Sequence, residues 1–423
     1  MNILIINQDW FAKELRDMGH AVLTCGTAPH LEHRIPTPIR HIDQLLAELP
    51  NSFTPDRILW LDNSAPIYII GLEDCSIPIL FYSVDTHHHY GLHSYLADSF
   101  DHVLIAQRDF MDHFKRSNTP CSWMPLWAPV HVEQSLEKKF GATFVGTLDR
   151  RLNPDRVTFF EALQALVPIH VTQGNYQSIF PFAEIIVNQT VKGDLNFRVF
   201  ETMMCGAMLL TEKTTNGLLD IFQDNKHLAT YTPRDASDAA EKVRYYTHHV
   251  AAARTIAEAG RSEILAKHTA LHRALQVESI LATLSRRSRS PHTYFGALMN
   301  ASILSTCLES VNKPLGAELS IVALAFARKI LEHNIAPDTT ATTQIIRACL
   351  RHDILTGMTA GNNTIAEFAS AFPQLPLFSL LHVRALLNSG KRLEAHKVAE
   401  IISHAPPEAL FDQAEQVATV IMR

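Results

Sequence analysis

Positive charge is not in excess anywhere in the totals: 37 lysines and arginines face 43 aspartates and glutamates, a formal net charge of -6 over 423 residues. Such a chain lacks the dense positive field behind sequence-independent nucleic-acid binding, so neither DNA nor RNA is expected as a partner. Cysteine is also sparse. The six, Cys25, Cys75, Cys121, Cys205, Cys307 and Cys349, are scattered with no CxxC pair. That argues against a disulfide framework and for reduced thiols in a reducing compartment. No apolar run reaches membrane-spanning length, and the opening run Ile3–Ile6 ends at Asn7, too short for a secretory signal core. A cytoplasmic address with no transmembrane segment is expected. With 47% hydrophobic and 19% charged residues the composition is that of an ordinary globular protein. The length exceeds what one core usually holds, so two or three domains are expected.

What is present is a βα alternation. A β-branched run at 3–6, helical spacing over 9–18, Gly19 and a strand pattern at 21–25 make a β-α-β opening. Non-alternating runs follow at 57–62, 77–84 and 103–106, as expected of parallel strands buried on both faces. The pattern breaks around Pro125–Val132 and a second alternation begins: strands at 142–146, 169–172, 184–188, 207–211 and 227–231, with helices over 155–166, near 196–205 and near 217–222, then long helices over 235–284. Two such series predict an α/β fold of two Rossmann-like domains, 1–130 and 131–284, facing a cleft at the carboxyl ends of their strands. SRRSRSPH (285–292) reads as a polar linker. Beyond it only helical periodicity remains, at 315–334, 338–351, 375–388, 391–403 and 407–421, which predicts an all-α domain over 293–423. Gly390, Ala395 and Pro406 sit in one stretch as they do in half of a tetratricopeptide repeat, and stacked helix pairs suit docking of a protein partner.

Three segments carry candidate chemistry. In GDLNFRVFETMMCGAMLLTE (193–212), Asn196 or Asp194 can cap a helix whose first-turn N–H groups form an anion site. Arg198 and Glu201, three apart, share a face: the guanidinium suits phosphate or sugar oxygens, and the carboxylate suits a ribose diol. The plain alternative is a surface Arg–Glu pair. Gly146, Thr147 and Arg150 follow the strand 142–146, where a glycine lets backbone approach phosphates and an arginine neutralises them; the alternative is a charged βα loop. In SVDTHHHYGLH (83–93), Asp85, His87 or His89 can take a proton from an acceptor hydroxyl. In extended chain His87 and His89 would converge and His88 would not, but no further zinc-type spacing is present, so no metal is assigned. Trp123 and Trp127, near the break between halves, are candidate stacking rings of lesser weight.

The 193–212 segment resembles the nucleotide-binding signature of GT-B glycosyltransferases, specifically of the CgeB-like (spore maturation protein) family, through Asn196, Arg198, Phe200, Glu201, Cys205, Gly206 and Thr211. The stretch 231–269, FVGTLDRR (144–151) and VDTHHH (84–89) extend the resemblance over roughly residues 1–284. It implies a metal-independent transferase without a cofactor, moving a sugar from a nucleoside diphosphate donor to a hydroxyl acceptor on a protein or glycan. Glu201 would hold the donor ribose, and Asp194–Arg198 would face the diphosphate. Retaining GT-B relatives carry two glutamates eight apart, whereas the position eight before Glu201 is Gly193, so the motif does not support a retaining mechanism. A nucleotide-sugar epimerase of the same architecture and a non-catalytic scaffold are the rival readings.

Overall fold

Aliphatic runs that do not alternate become strands covered on both faces, and here they form two parallel sheets. The computed structural model describes residues 1–35, 39–403 and 405–422. The first half contains β1 (Asn2–Ile6), α1 (Ala12–Asp17), β2 (Ala21–Gly26), β3 (His33–Arg34), β4 (Arg40–His41), α2 (Ile42–Glu48), β5 (Arg57–Leu61), β6 (Ile69–Ile70), β7 (Ile79–Ser83), α3 (Thr86–Leu96), β8 (His102–Ile105) and β9 (Cys121–Trp123). Seven strands pair in the order β3-β2-β1-β5-β7-β8-β9, and β4 with β6 makes a small separate ladder. The second half contains β10 (Phe140–Val145), α4 (Pro154–Leu166), β11 (His170–Thr172), β12 (Ala183–Asn188), α5 (Phe197–Met204), β13 (Met208–Glu212), α6 (Leu218–Ile221), β14 (Ala229–Tyr231), α7 (Ala236–His248), α8 (Val250–Lys267) and α9 (Ala270–Thr283). Its sheet order is β11-β10-β12-β13-β14.

Two contacts fix one half against the other. The chain returns through α9 to the first half, where Arg57 Nε donates to the Leu281 carbonyl (2.8 Å) and Arg273 donates to the carbonyls of Pro125 (2.7 Å) and Leu126 (3.1 Å). Nearer the cleft the amide of buried Gln107 bonds both ways to the Leu195 backbone, accepting its N–H at 2.9 Å and donating to its carbonyl at 3.3 Å. Trp127 is buried among Trp10, Phe11 and Phe197, with centroids 4.6–5.3 Å away. It is therefore core between the halves and not a ring open to ligand. Trp123 lies against Gly217, where an added Cβ would fall 2.3 Å from the indole, so that glycine is required by the close approach of the halves.

The remainder is helical: α10 (Thr293–Glu309), α11 (Lys313–Glu332), α12 (Thr339–Thr356), α13 (Ala360–Ala371), α14 (Pro376–Asn388), α15 (Arg392–Ile402) and α16 (Pro407–Met422). α10 and α13 escaped the periodicity reading. α10 is apolar nearly all round because it is buried on every side, which erases the amphipathic signal. It packs on α3: Tyr95 shares a core with Phe295, Leu298 and Ala327. Asn300 Nδ2 donates to the carbonyls of Ile67 (3.2 Å) and Ile69 (3.3 Å), and the Tyr95 hydroxyl donates to Asp338 (2.6 Å).

The 285–292 segment is not a free linker. Arg286 donates to the Cys75 carbonyl (2.6 Å), Arg287 to the Asn118 carbonyl (2.6 Å), and Arg289 pairs in a fork with Asp101 (2.9 and 3.0 Å). Its basic residues serve as a strap that binds backbone carbonyls and one buried carboxylate of the first half. Asp101 also accepts the N–H groups of Ile79 (2.7 Å) and Arg287 (2.8 Å). Removing one partner of a buried pair strands the other, so Asp101→Ala should lower unfolding free energy by about 3–5 kcal/mol in urea titrations. It should also open 285–292 to trypsin; unchanged stability and protection would refute the strap.

Candidate functional site

The carboxyl end of the second sheet is organised around Asn188, the last residue of β12. Polar and fully buried, it ties neighbouring elements together. Its Nδ2 donates to Thr211 Oγ1 (3.0 Å) on β13, its carbonyl accepts the Tyr231 hydroxyl (2.8 Å) on β14, and its Oδ1 accepts Arg198 Nη1 (2.7 Å) on α5. Arg198 thereby lies across the top of the sheet, with its guanidinium 5.0 Å from the Phe144 ring centroid. A Cβ on Gly146 would come within 2.8 Å of Phe144 and 3.0 Å of Arg198, so the glycine is needed for what packs beneath it. The structure thus brings Gly146, Asn196 and Arg198 together.

Asn196 occupies the N-cap position of α5 in extended backbone, yet its side chain makes no cap bond; Nδ2 reaches weakly toward Asn188 and Asp194 (3.4 Å each), and its buried Oδ1 has no partner. Asp194 does not cap the helix either: its carboxylate closes its own loop by accepting the Val191 N–H (2.6 Å). Burial pushes its pKa up to about 6. The first-turn N–H groups of α5 are left without a side-chain cap, the state in which a helix terminus can receive an anion.

One turn further on, the Glu201 carboxylate is half-buried and makes no hydrogen bond or ion pair among the described residues. Burial raises its pKa to about 7, with Arg198 acting in the opposite direction. Its charge is felt by the Tyr176 phenol and the Cys205 thiol. Thr147 is exposed beside Gly146. Arg150 is exposed and forms an ion pair with Glu161 (2.5 Å) on α4, and nothing joins it to the Gly146–Arg198 group among the described residues.

On the first half, VDTHHH is the turn after β7 and the start of α3, not extended chain, so the expected convergence of His87 and His89 does not occur. Helical geometry instead sends His87 inward. Its ring is buried, Nδ1 has no partner, and burial drops its pKa to about 3, which leaves it neutral and a poor proton acceptor. His89 is half-buried and His88 exposed. Asp85, before the helix, is half-buried and accepts a hydrogen bond from Ser64 Oγ. Burial, then the charges of Asp62 and of Asp194 from the other half, raise its pKa to about 6. Lys192, also on the second half, depresses His87 and His88, so this helix start and the 191–194 loop face each other. Among the described residues no group of three or more His, Cys, Asp or Glu is placed to hold a metal ion.

Sequence reasoning missed Asp62, which accepts N–H bonds from Ser64 (2.9 Å), Val84 (3.2 Å) and Asp85 (2.9 Å) and so shapes the Asp85 loop. It missed Asn188 as well. Both end an apolar strand run with a polar residue, the one signal that could have found them. Also missed was a hollow of about 630 Å³ at the carboxyl ends of β12–β14 and the start of α4, lined among others by Arg156, Lys192, Lys213 and Arg234. None of the expected site residues lines it.

A family profile described as glycosyl transferase-like matches residues 144–279, the span that carries Gly146, Arg198 and Glu201. No curated protein matches the chain. Among solved structures the chain is similar to Anabaena HepE in complex with UDP and glucose (TM-score 0.53, 13% identity, 67% of this chain and 100% of that one). It is also similar to sucrose-phosphate synthase from Thermosynechococcus elongatus (TM-score 0.51, 13% identity, 66% and 97%). The fold is therefore the two-sheet GT-B arrangement with an added helical region, and among the described residues no helix is long and apolar enough to cross a membrane.

The state of Glu201 can be read from stability. Its carboxyl ionises near 4.5 in an unconstrained chain and near 7 when folded, so a folding cost is absent below pH 4.5 and fully present above pH 7. Glu201→Gln should then stabilise the free protein by about 3–4 kcal/mol at pH 8 and by little near pH 4.5, at about 1.4 kcal/mol per pKa unit. Denaturant melts at the two pH values check this; equal effects at both would mean that Glu201 is solvated.

Proposed function

We propose that this chain, a glycosyltransferase of GT-B type, moves a sugar from a nucleoside diphosphate donor to a hydroxyl acceptor on a protein or glycan without a metal ion. The observation that carries the reading is the unpartnered, half-buried Glu201 on the same helix as Arg198, with Asp85 on the opposite wall. The second half holds the donor. Glu201 accepts two hydrogen bonds from the ribose diol, which replaces the water it lost on burial, and the uncapped start of α5 with Arg198 and Gly146 receives the diphosphate. UDP is the first nucleotide to test, because HepE, which is similar in fold, was solved with UDP.

The first half presents the acceptor. Asp85 takes the hydroxyl proton as the acceptor oxygen bonds to the anomeric carbon, while the carbon–phosphate oxygen bond breaks and its electron pair leaves with the diphosphate. His89 on the adjoining turn orients the acceptor hydroxyl. The divisions 1–130 and 131–284 serve acceptor and donor, and 293–423 serves docking of a partner. The Asn196, Arg198, Glu201 and Cys205-Gly206 signature supports placement among CgeB-like enzymes, and the paired helices support a tetratricopeptide-like role for the last region.

Screening UDP-, GDP- and TDP-sugars for thermal stabilisation and released diphosphate tests the whole reading; no response to any of them would sink it. Product formed from donor alone, with the sugar isomerised, would favour the epimerase. With an active pair in hand, Glu201→Ala should raise the donor KM at least tenfold, and Asp85→Asn should cut kcat by about 100-fold or more. Because the base must be ionised, kcat/KM should fall as pH drops through about 6 in the parent enzyme, and Asp85→Asn should flatten that limb. A limb that stays in Asp85→Asn assigns the proton to another group.

A further inference from the structure

We propose that the hollow at the carboxyl ends of β12–β14 is a second subsite, taking an anionic group of the sugar substrate, a phosphate ester or a carboxylate, beside the site of transfer. The proposal rests on the transferase reading above and extends it to the kind of sugar handled. The cavity, about 630 Å³, is within the range of small-molecule sites and much larger than a lone phosphate needs. No aromatic ring lines it, so a nucleobase finds no stacking surface there.

Its charge is unbalanced. Four separate segments supply cations: Arg156 from α4, Lys192 from the loop after β12, Lys213 from the loop after β13, and Arg234 before α7. The two lining acids are already engaged. Glu212 accepts from the Thr190 N–H (3.0 Å), the Thr190 hydroxyl (2.5 Å) and the Arg234 N–H (2.9 Å), and Asp155 pairs with Arg234 (2.9 Å). Buried Arg156 is held in place by Gln189, through Oε1 and the carbonyl at 3.1 Å each. Lys192 and Lys213 form no ion pair among the described residues, and both are exposed to the hollow's mouth.

The helix field adds to this positive balance: Pro154 opens α4 and its N-cap residue Asn153 provides no side-chain cap among the described residues, so the electropositive start of a 13-residue helix lines the same space. Val191, Lys192 and Gly193 line the hollow and lead directly into Asp194 and the start of α5, so its rim adjoins the proposed donor site, and an anion seated there would be part of a substrate held beside it.

The test uses thermal shift on the full chain, with and without saturating UDP, against glucose, glucose 6-phosphate and glucuronate. Glucose 6-phosphate or glucuronate, whichever charge the site prefers, should raise Tm further in UDP-saturated protein while glucose does not. Lys192→Ala with Lys213→Ala should weaken that anion's apparent affinity about tenfold or more, whereas Lys213→Ala alone should leave the UDP shift intact. Neither anion exceeding glucose, or an unchanged response in the double variant, would overturn the subsite. An anion response abolished by UDP would overturn it too, by making the hollow the seat of UDP's own diphosphate. A missing shift with UDP, GDP and TDP alike beside a retained anion response would fail the transferase reading and leave the hollow standing as an anion site.

Discussion

The carboxyl end of the second sheet hangs on a single buried amide. Asn188 stands where an aliphatic strand reaches its carboxyl end, and burying it without partners would cost several kcal/mol. The fold satisfies it by drawing Thr211, Tyr231 and Arg198 to it from β13, β14 and α5. Arg198 is consequently held flat over Phe144 and Gly146 instead of reaching into water. One asparagine therefore sets the register of three strand ends and aims a cation at the place where a phosphate would arrive.

The first half repeats the device with the opposite charge. Asp62, at the end of β5, gathers three backbone N–H groups and so fixes the turn that leads into α3. Asp85 then lies where burial and two neighbouring carboxylates raise its pKa toward neutrality, the range in which a carboxylate accepts a proton most usefully. The opposite end of α3 is packed under α10 through Tyr95 and Leu96. The helix that begins beside Asp85 is thus tied at its other end to the helical region.

Much of the architecture was legible because parallel strands leave a plain trace: short aliphatic runs, without alternation, spaced by helical segments. The two sheets and most of the helices fall where those runs placed them. α10 did not, since a helix buried all round has no polar face to mark its period. The 285–292 segment misled for a related reason. Its arginines look solvated in sequence, and only the carbonyls and the carboxylate of a distant segment reveal that they are bound. The histidine run does not continue the strand because α3 begins at Thr86, just after β7 ends at Ser83, and a helix rotates successive side chains by about 100° where a strand alternates them.

By itself the sequence determined the α/β class, the two-sheet division and the helical remainder, because each depends on periodicity or on residues close together in the chain. Tertiary structure alone decided which candidates meet. Arg198 joins Gly146 from some fifty residues away, Asp85 faces Asp194 across the cleft, Arg150 is spent on Glu161, and the cationic hollow collects four loops that share no local motif. The physical reason is that desolvation and charge act through space: a carboxylate's pKa, an arginine's partner and a cavity's sign are set by whatever folding brings within a few ångströms, about which spacing along the chain says nothing.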